Sequence, residues 1–220
     1  MPPKPKFTRE EIVAAAFELV REQGSAALTA RELGARLGCS ARPIFTVFSD
    51  MAEVRDAARE QAQECFRAYM AVAEDFEPAY KMRGMQWVRF AQEQPKLFQL
   101  LFMQGEGTAP DLDAAVRASA FDSERDLAII RRDYHASAAQ AEHLFRQMWI
   151  YTYGLCVLCA TGICSFTDAE LAVNLGEIFR GMIYVLTNES APFTGVQPAK
   201  HGTAESDFVR RNNPDLGGAR

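Results

Sequence analysis

The chain is 220 residues long, 48% of its residues are hydrophobic, and its formal net charge is −5. This is ordinary for a globular protein of one or two domains, and the acidic balance excludes a uniformly basic nucleic-acid coat. The charge is uneven, because residues 1–50, called the head below, hold seven basic and six acidic side chains whereas the rest of the chain holds 17 and 23. A mildly basic head on an acidic second part is typical of a DNA-binding protein whose second domain does not touch DNA.

Three short helices are predicted in the first fifty residues. The first runs over Thr8–Gln23 and stops at Gly24, a residue common just beyond helix ends. The second begins at Thr29 in TARELGARLGCS, and the third begins at Ser40 in SARPIFTVFSD. Three helices joined by tight turns, the last about two turns long, form a helix-turn-helix unit that presents one short helix to a DNA groove.

Capping signatures support these helix starts. Thr8 is followed three residues later by Glu11, and Thr29 is followed by Glu32 at the same spacing. This is the spacing of a capping box, in which each side chain satisfies a backbone N–H group of the other residue. Ser40 is placed to cap the third helix in the simpler way.

With these residues the segment resembles the N-terminal domain of TetR-type transcriptional regulators. In that family a Thr-led second helix is followed by a Leu-Gly turn, a Ser-capped short helix, an aromatic pair and a longer fourth helix. The resemblance covers residues 7–60. It implies a homodimer whose C-terminal domain senses a small molecule and controls DNA binding, with repression as the default sign.

Two positions depart from the family pattern. Phe45 stands where the family usually has Tyr, and Met51 lies in a stretch where the family tends to place a Lys at the start of the fourth helix. Each departure removes an expected phosphate contact, and phosphate contacts supply most non-specific DNA affinity. Weak DNA binding therefore stays open as an alternative.

The DNA-contacting residues are predicted from the recognition helix outward. Arg42 is its only basic side chain and is expected to pair with a guanine edge, whereas Thr46 is expected to bond a phosphate or a base. The alternative for Arg42 is an ion pair with a nearby acid, and core packing is the favoured interpretation of Phe45 and Phe48. The complete predicted set is Lys4, Lys6, Arg9, Thr29, Arg31, Ser40, Ala41, Arg42, Pro43, Phe45 and Thr46.

The remainder of the chain is also predicted to be helical, which makes the fold all-α. Asp50 opens a long helix to about Ala73, and further helices are expected over 79–93, 95–104, 112–132, 136–161 and 171–187. The last two are apolar and adjacent, which predicts a four-helix bundle across a two-fold axis; internal core helices are the alternative. The predicted division is a DNA-binding domain over 1–52, a ligand-binding and dimerisation domain over 53–190, and a disordered tail over 191–220.

The second domain is rich in large apolar side chains that are candidates for the lining of a ligand cavity. Mixed aromatic pockets with few polar groups bind hydrophobic or aromatic molecules, and plain core packing is the alternative. The candidates are Met82, Met85, Trp87, Phe98, Leu101, Phe102, Met103, Trp149, Tyr153 and Cys156.

Three cysteines near the end of an apolar helix, Cys156, Cys159 and Cys164, form the pattern C-x-x-C-x-x-x-x-C. Two thiols on one helix face can take up a soft metal or become oxidised, but buried cysteines usually behave as small hydrophobic residues, and packing is the favoured interpretation. No phosphate loop, convincing metal-ligand pair or nucleophile elbow appears. The sequence therefore predicts no enzyme, no cofactor and no metal site.

No apolar leader precedes the first helix, and no run reaches the 18 apolar residues of a membrane span. We therefore expect a cytoplasmic regulator without membrane contact. It is expected to bind an inverted-repeat double-stranded DNA operator as a homodimer and to be released, as a repressor, by a small hydrophobic or aromatic effector. The alternative is a helical ligand-binding protein, or a thiol redox or metal sensor, with weak or no DNA binding.

Overall fold

A computed structural model describes residues 6–104 and 109–188. Within these ranges the chain forms nine α-helices and no strand, so the prediction of an all-α fold is confirmed. Lys4 and the predicted tail over 191–220 lie outside the described residues. The helices are α1 (Arg9–Gln23), α2 (Ala30–Arg36), α3 (Met51–Ala71), α4 (Ala79–Glu93), α5 (Pro95–Phe102), α6 (Leu112–Ser119), α7 (Ser123–Tyr134), α8 (Ala138–Ala160) and α9 (Asp168–Asn188).

The head begins with the predicted caps. The backbone N–H of Thr8 donates to Glu11 Oε2 at 2.8 Å and that of Glu11 donates to Thr8 Oγ1 at 3.2 Å, so the capping box of α1 is complete. The Thr29 hydroxyl accepts from the Glu32 N–H at 3.2 Å and caps α2. The other half of this predicted capping box is not formed, because the Thr29 N–H donates to the Ala27 carbonyl oxygen at 2.8 Å. Because these signals act within one turn of helix, they fix the two helix starts independently of tertiary packing.

The predicted α-helix at Ser40 is wrong, because the chain forms only a 3₁₀ turn, Ile44–Thr46, and Ser40 caps no helix. Pro43 contributes no N–H group and disfavours the helical conformation of the residue before it. The Thr46 hydroxyl then donates to the Pro43 carbonyl oxygen at 2.6 Å, beside the backbone bond from Thr46 N to the same oxygen at 3.2 Å. The recognition segment is therefore one tight turn rather than two turns of helix.

Gly34 holds this turn against α2. A Cβ atom at Gly34 would lie 3.0 Å from the Cys39 carbonyl oxygen and 3.1 Å from the Ala41 nitrogen, which are both backbone atoms. Few real Cβ atoms come that close to backbone, so the missing side chain lets the turn lie directly on the helix. The position of the recognition segment thus depends on a close backbone contact.

The long helix α3 joins the head to the remaining helices through an aromatic cluster. The ring of Phe66 meets those of Trp87, Phe90, Phe102 and Phe121 edge-on, with centroid distances between 4.8 and 5.0 Å. Such pairs add about 0.5–1.5 kcal/mol each beyond the burial of their surface. The cluster therefore anchors the helix that begins immediately after the recognition turn.

The single helix expected over 112–132 is instead two helices, α6 and α7. The break lies at Ala120–Asp122, where Asp122 takes a left-handed conformation with φ of 59°. Phe121, in the middle of the break, packs its ring against Phe66. The half-buried ring of Phe121 thereby joins the aromatic cluster around Phe66.

The two C-terminal helices, α8 and α9, form where the apolar patterns place them. Leu144, Cys156, Leu171 and Leu175 are buried, whereas Ile178 on α9 remains 38% exposed. No helix in the described ranges has both the length and the apolar character that a membrane crossing requires.

Candidate functional site

Most of the residues predicted to contact DNA are exposed. Arg31, Ser40 and Arg42 are exposed, and among the described residues no side chain pairs with Arg42. The alternative of an Arg42 paired with a nearby acid therefore finds no support within the described ranges. Phe45 is 44% exposed whereas Phe48 is 2% exposed, so a core position is confirmed for Phe48 only.

Several of the predicted contacts are engaged within the protein. The Thr46 hydroxyl hydrogen is used on the Pro43 carbonyl, which leaves the hydroxyl no donor for a phosphate. The Thr29 hydroxyl only accepts from Glu32, so its hydrogen remains available. Ala41 and Pro43 are half-buried.

Arg9, one of the predicted DNA contacts, links α1 to α3 through Glu53. Its Nη1 atom lies 2.7 Å from Glu53 Oε1, and its guanidinium lies 4.3 Å from the centre of the Phe48 ring. Hydrogen bonds from the Ser49 backbone and from Arg9 lower the pKa of Glu53 to about 2. Lys6 lies over the Phe7 ring at 5.2 Å. The described head therefore offers few free cations besides Arg42 and Arg31.

A cavity of about 270 Å³ lies among α4, α7, α8 and α9. Aromatic rings form much of its wall: Phe179 lies 4.7 Å from Tyr134 and 5.9 Å from Tyr80 between centroids, and Trp149 stacks on Tyr153 at 4.8 Å. A volume near the lower end of the roughly 300–1,000 Å³ usual for ligand sites fits a small organic molecule.

Three of the ten predicted pocket residues, Trp87, Trp149 and Tyr153, line this cavity. The other seven lie elsewhere. Three of these seven are buried in the core outside the cavity lining: Met85, Phe98 and Cys156. Three more are half-buried, namely Met82, Leu101 and Phe102, and the last, Met103, is exposed. Hydrophobicity identifies side chains that avoid water, but it does not say which of them border empty space.

Sequence reasoning missed the charged residues of the cavity. Arg83 is 3% exposed and its Nε atom donates to Asp126, which is also buried. Lys81 and Arg180 contribute two more cations to the lining. A signal was present, because Arg83 lies three residues after Tyr80 and four before Trp87, on the same face of α4.

The Arg83–Asp126 pair lies in an environment that penalises charge. Burial raises the pKa of Asp126, and the adjacent Arg83 offsets this only in part. Burial, together with the nearby Asp126, also raises the pKa of Tyr80 well above its ordinary value. Arg83 Nη2 is buried and has no hydrogen-bond partner among the described residues. The cavity thus combines apolar walls with an incompletely satisfied ionic group.

Hydrogen bonds connect the cavity to the head through the C-terminal end of α5. The Tyr153 hydroxyl donates to the Phe102 carbonyl oxygen at 2.7 Å. From the other side, Arg59 of α3 donates to the carbonyl oxygens of Leu100 at 2.9 Å and Leu101 at 3.3 Å. A cavity-lining residue and a residue of the head-linking helix therefore bond to consecutive carbonyl groups.

Two of the three cysteines in the pattern lie in the core, and the third, Cys164, is half-buried. Cys156 and Cys159 are buried. Burial raises the pKa of both thiols, in the case of Cys159 to about 11. Within the described ranges, no group of His, Cys, Asp and Glu side chains is arranged to hold a metal ion. The geometry gives no support to a thiol or metal sensor.

Residues 82–183 match the family model described as the tetracyclin repressor-like, C-terminal domain, a range that includes the cavity lining from Arg83 to Arg180. A search of the curated proteins found no match. The match confirms the resemblance read from the N-terminal residues, although it covers a different part of the chain. TetR-family regulators are not enzymes, which agrees with the absence of catalytic motifs.

Proposed function

We propose that this chain, which belongs to the TetR family of ligand-responsive transcriptional regulators, represses transcription as a homodimer on an inverted-repeat operator. An effector that binds in the cavity among α4, α7, α8 and α9 is proposed to release the protein from DNA. The observation that carries the proposal is the shared end of α5. There Tyr153, from the cavity, and Arg59, from the helix that follows the recognition turn, bond to adjacent carbonyls.

DNA recognition by this head rests on a small number of cations. Arg42 and Arg31 are exposed and have no ion pair among the described residues. Phe45 offers no hydroxyl to a phosphate, and Met51 offers no charge at the start of α3. Because few phosphate contacts are available, we expect modest affinity and a specificity that depends strongly on Arg42.

A second copy of the chain is proposed to cover the exposed apolar stripe of α8 and α9. Ile178 and Val185, seven residues apart on α9, are 38% and 36% exposed, and Ile150 on α8 is 39% exposed. Gly154 and Gly181 lie beside them, and no described atom comes within 4 Å of a Cβ built at either position. Exposed apolar residues next to glycines permit the close helix packing of a four-helix dimer interface.

The proposed response to ligand is a shift between two dimer geometries. Recognition segments must lie about 34–36 Å apart to enter successive major grooves. A ligand that favours another position of Tyr153 moves the end of α5, and Arg59 passes that movement to α3. The ligand changes DNA affinity only by the difference between its affinities for the two geometries.

The test is selection of binding sites from a randomised double-stranded DNA pool by the full-length protein. We expect an enriched inverted repeat that is lost with Arg42→Ala. The control variant is Arg117→Ala, which removes one exposed arginine from α6 and should retain the enriched sequence. If a folded, dimeric protein enriches no sequence at low salt, or if Arg42→Ala enriches the same one, the DNA-binding proposal is wrong.

A further inference from the structure

The charge of the cavity lining is the starting point for identifying the ligand. Lys81, Arg83 and Arg180 contribute three cations, and Asp126 contributes one anion, so the ionisable acids and bases of the lining carry a net charge of +2. A Cβ built at Gly176 would lie 3.5 Å from Arg180 Nη1 and 3.8 Å from Lys81 Nζ, which places both cations over the same glycine. The lining is therefore short of negative charge.

Arg83 supplies an independent observation. The residue is 3% exposed, its Nε atom is fixed by Asp126, and its Nη2 atom is buried with no partner in the described chain. A buried donor on a charged group is costly to leave unpaired, and native proteins rarely do so. A water molecule can accept one hydrogen bond there, but it leaves the excess positive charge of the lining uncompensated.

The remaining surface of the cavity excludes a small, strongly hydrated anion as the best ligand. Phe145, Trp149, Tyr134 and Phe179 present apolar surface, and desolvating an inorganic anion against such walls is unfavourable. A neutral apolar molecule fills the walls but leaves Arg83 Nη2 without an acceptor, and an organic cation is repelled. An aromatic ring with one acidic group satisfies both parts of the site.

We propose that the effector is an aromatic carboxylic acid, whose carboxylate accepts from Arg83 Nη2 and whose ring lies among the aromatic walls. This proposal rests on the proposed role of the cavity as the effector site. Asp126 acts as a positioning residue, because its bond to Nε orients the guanidinium and leaves Nη2 for the ligand. Charge-assisted bonds from arginine to a carboxylate are the strong, directional kind that select this group over neutral acceptors.

The test compares each carboxylate with a neutral counterpart of the same shape. Benzoate, 1-naphthoate and 4-phenylbutyrate are titrated calorimetrically into the full-length protein, beside acetophenone, 1-acetonaphthone and 5-phenyl-2-pentanone, in which a methyl ketone replaces the carboxylate. We expect at least one carboxylate to bind about tenfold or more tightly than its ketone, the size of one charge-assisted hydrogen bond. If no carboxylate binds, or if the ketones bind as tightly, the proposal is overturned.

Variants show whether Arg83 causes the preference. Arg83→Met combined with Asp126→Asn avoids an unpaired buried carboxylate, and it should reduce the carboxylate-to-ketone ratio to near one while ketone binding persists. Arg180→Gln leaves the buried pair intact and should reduce the ratio in part. Arg89→Met is the matched control on α4, since Arg89 pairs with Asp168 outside the cavity lining. An unchanged ratio in the double variant contradicts the assignment of Arg83.

The outcome is separable from the regulatory role. A carboxylate that binds through Arg83 without releasing the selected DNA leaves the ligand assignment standing and refutes the proposed response. If the ketones release DNA as readily as the carboxylates do, the proposed response stands and the ligand assignment is refuted. Binding measured by calorimetry and release measured by DNA titration therefore fail independently.

Discussion

Replacement of Gly34 by alanine tests whether a backbone contact positions the recognition turn. A Cβ atom at this position would meet the Cys39 carbonyl oxygen at 3.0 Å and two atoms of the following backbone at 3.1 Å. None of these is a flexible side chain, so the turn itself must move. Overpacking of this kind costs about 1–3 kcal/mol, whereas alanine returns about 1 kcal/mol through its higher helix propensity.

The expected net loss for Gly34→Ala is therefore up to about 2 kcal/mol, or a melting temperature lower by about 4–8 °C in a protein of this size. DNA affinity should fall further than stability alone explains, because the exposed Arg42 moves with the turn. Thermal unfolding followed by circular dichroism and titration of the selected operator measure the two effects. A variant with unchanged or increased stability and unchanged DNA affinity refutes the argument.

Three further predictions concern coupling, assembly and pH. Arg59→Met removes the bonds to the end of α5, so ligand affinity should persist while release of DNA by ligand weakens; Arg55→Met, on the same helix, is the control, and equal behaviour of the two contradicts the coupling. Ile178→Glu places a charge on the apolar stripe and should convert the dimer to a monomer in light scattering; a persistent dimer places the interface elsewhere. The pKa of Glu53 is lowered from 4.5 to about 2, so its contribution to stability is present above about pH 4.5 and is lost as the pH falls toward 2. Glu53→Gln should flatten the dependence of the unfolding midpoint on pH in that window, and an unaltered slope is evidence against the hydrogen bonds that Ser49 and Arg9 donate to Glu53.

The helix starts of the head were predictable because their causes are local. Thr8 and Glu11 satisfy each other's backbone within one turn, and no distant residue is needed. The prediction of an α-helix in the recognition segment was wrong for a reason that is also present in the sequence. Pro43 and Thr46 favour a tight turn that competes with an α-helix. Because the tight turn wins this competition, Ser40 caps no helix.

The break between α6 and α7 was not predictable from periodicity. Residues 112–132 carry a continuous helical pattern. The contact between the rings of Phe121 and Phe66 forms only in the folded protein, so the pattern does not reveal the break. The cavity presents the same difficulty at a larger scale. Arg83 and Asp126 are 43 residues apart in sequence, and neither shows by itself that the other will meet it in a buried site. Sequence indicates which side chains are apolar, whereas cavities arise from imperfect packing among four helices.

The Nη2 atom of Arg83, which has no partner among the described residues, also bears on how a ligand can act at a distance. The proposed ligand would stabilise this domain by satisfying Nη2, but stabilisation alone leaves DNA affinity unchanged unless the DNA-bound geometry accommodates the ligand less well. Phe102 is where such a difference can arise. Its ring lies 4.7 Å from that of Trp87, and its carbonyl accepts from Tyr153, so two cavity-lining residues contact it. Since Arg59 holds the two preceding carbonyls, a cavity that closes around a ligand must either move α3 or break one of these bonds. In the proposed mechanism, a dimer whose heads are spaced for DNA stretches these bonds to admit a ligand, and that cost couples the two sites.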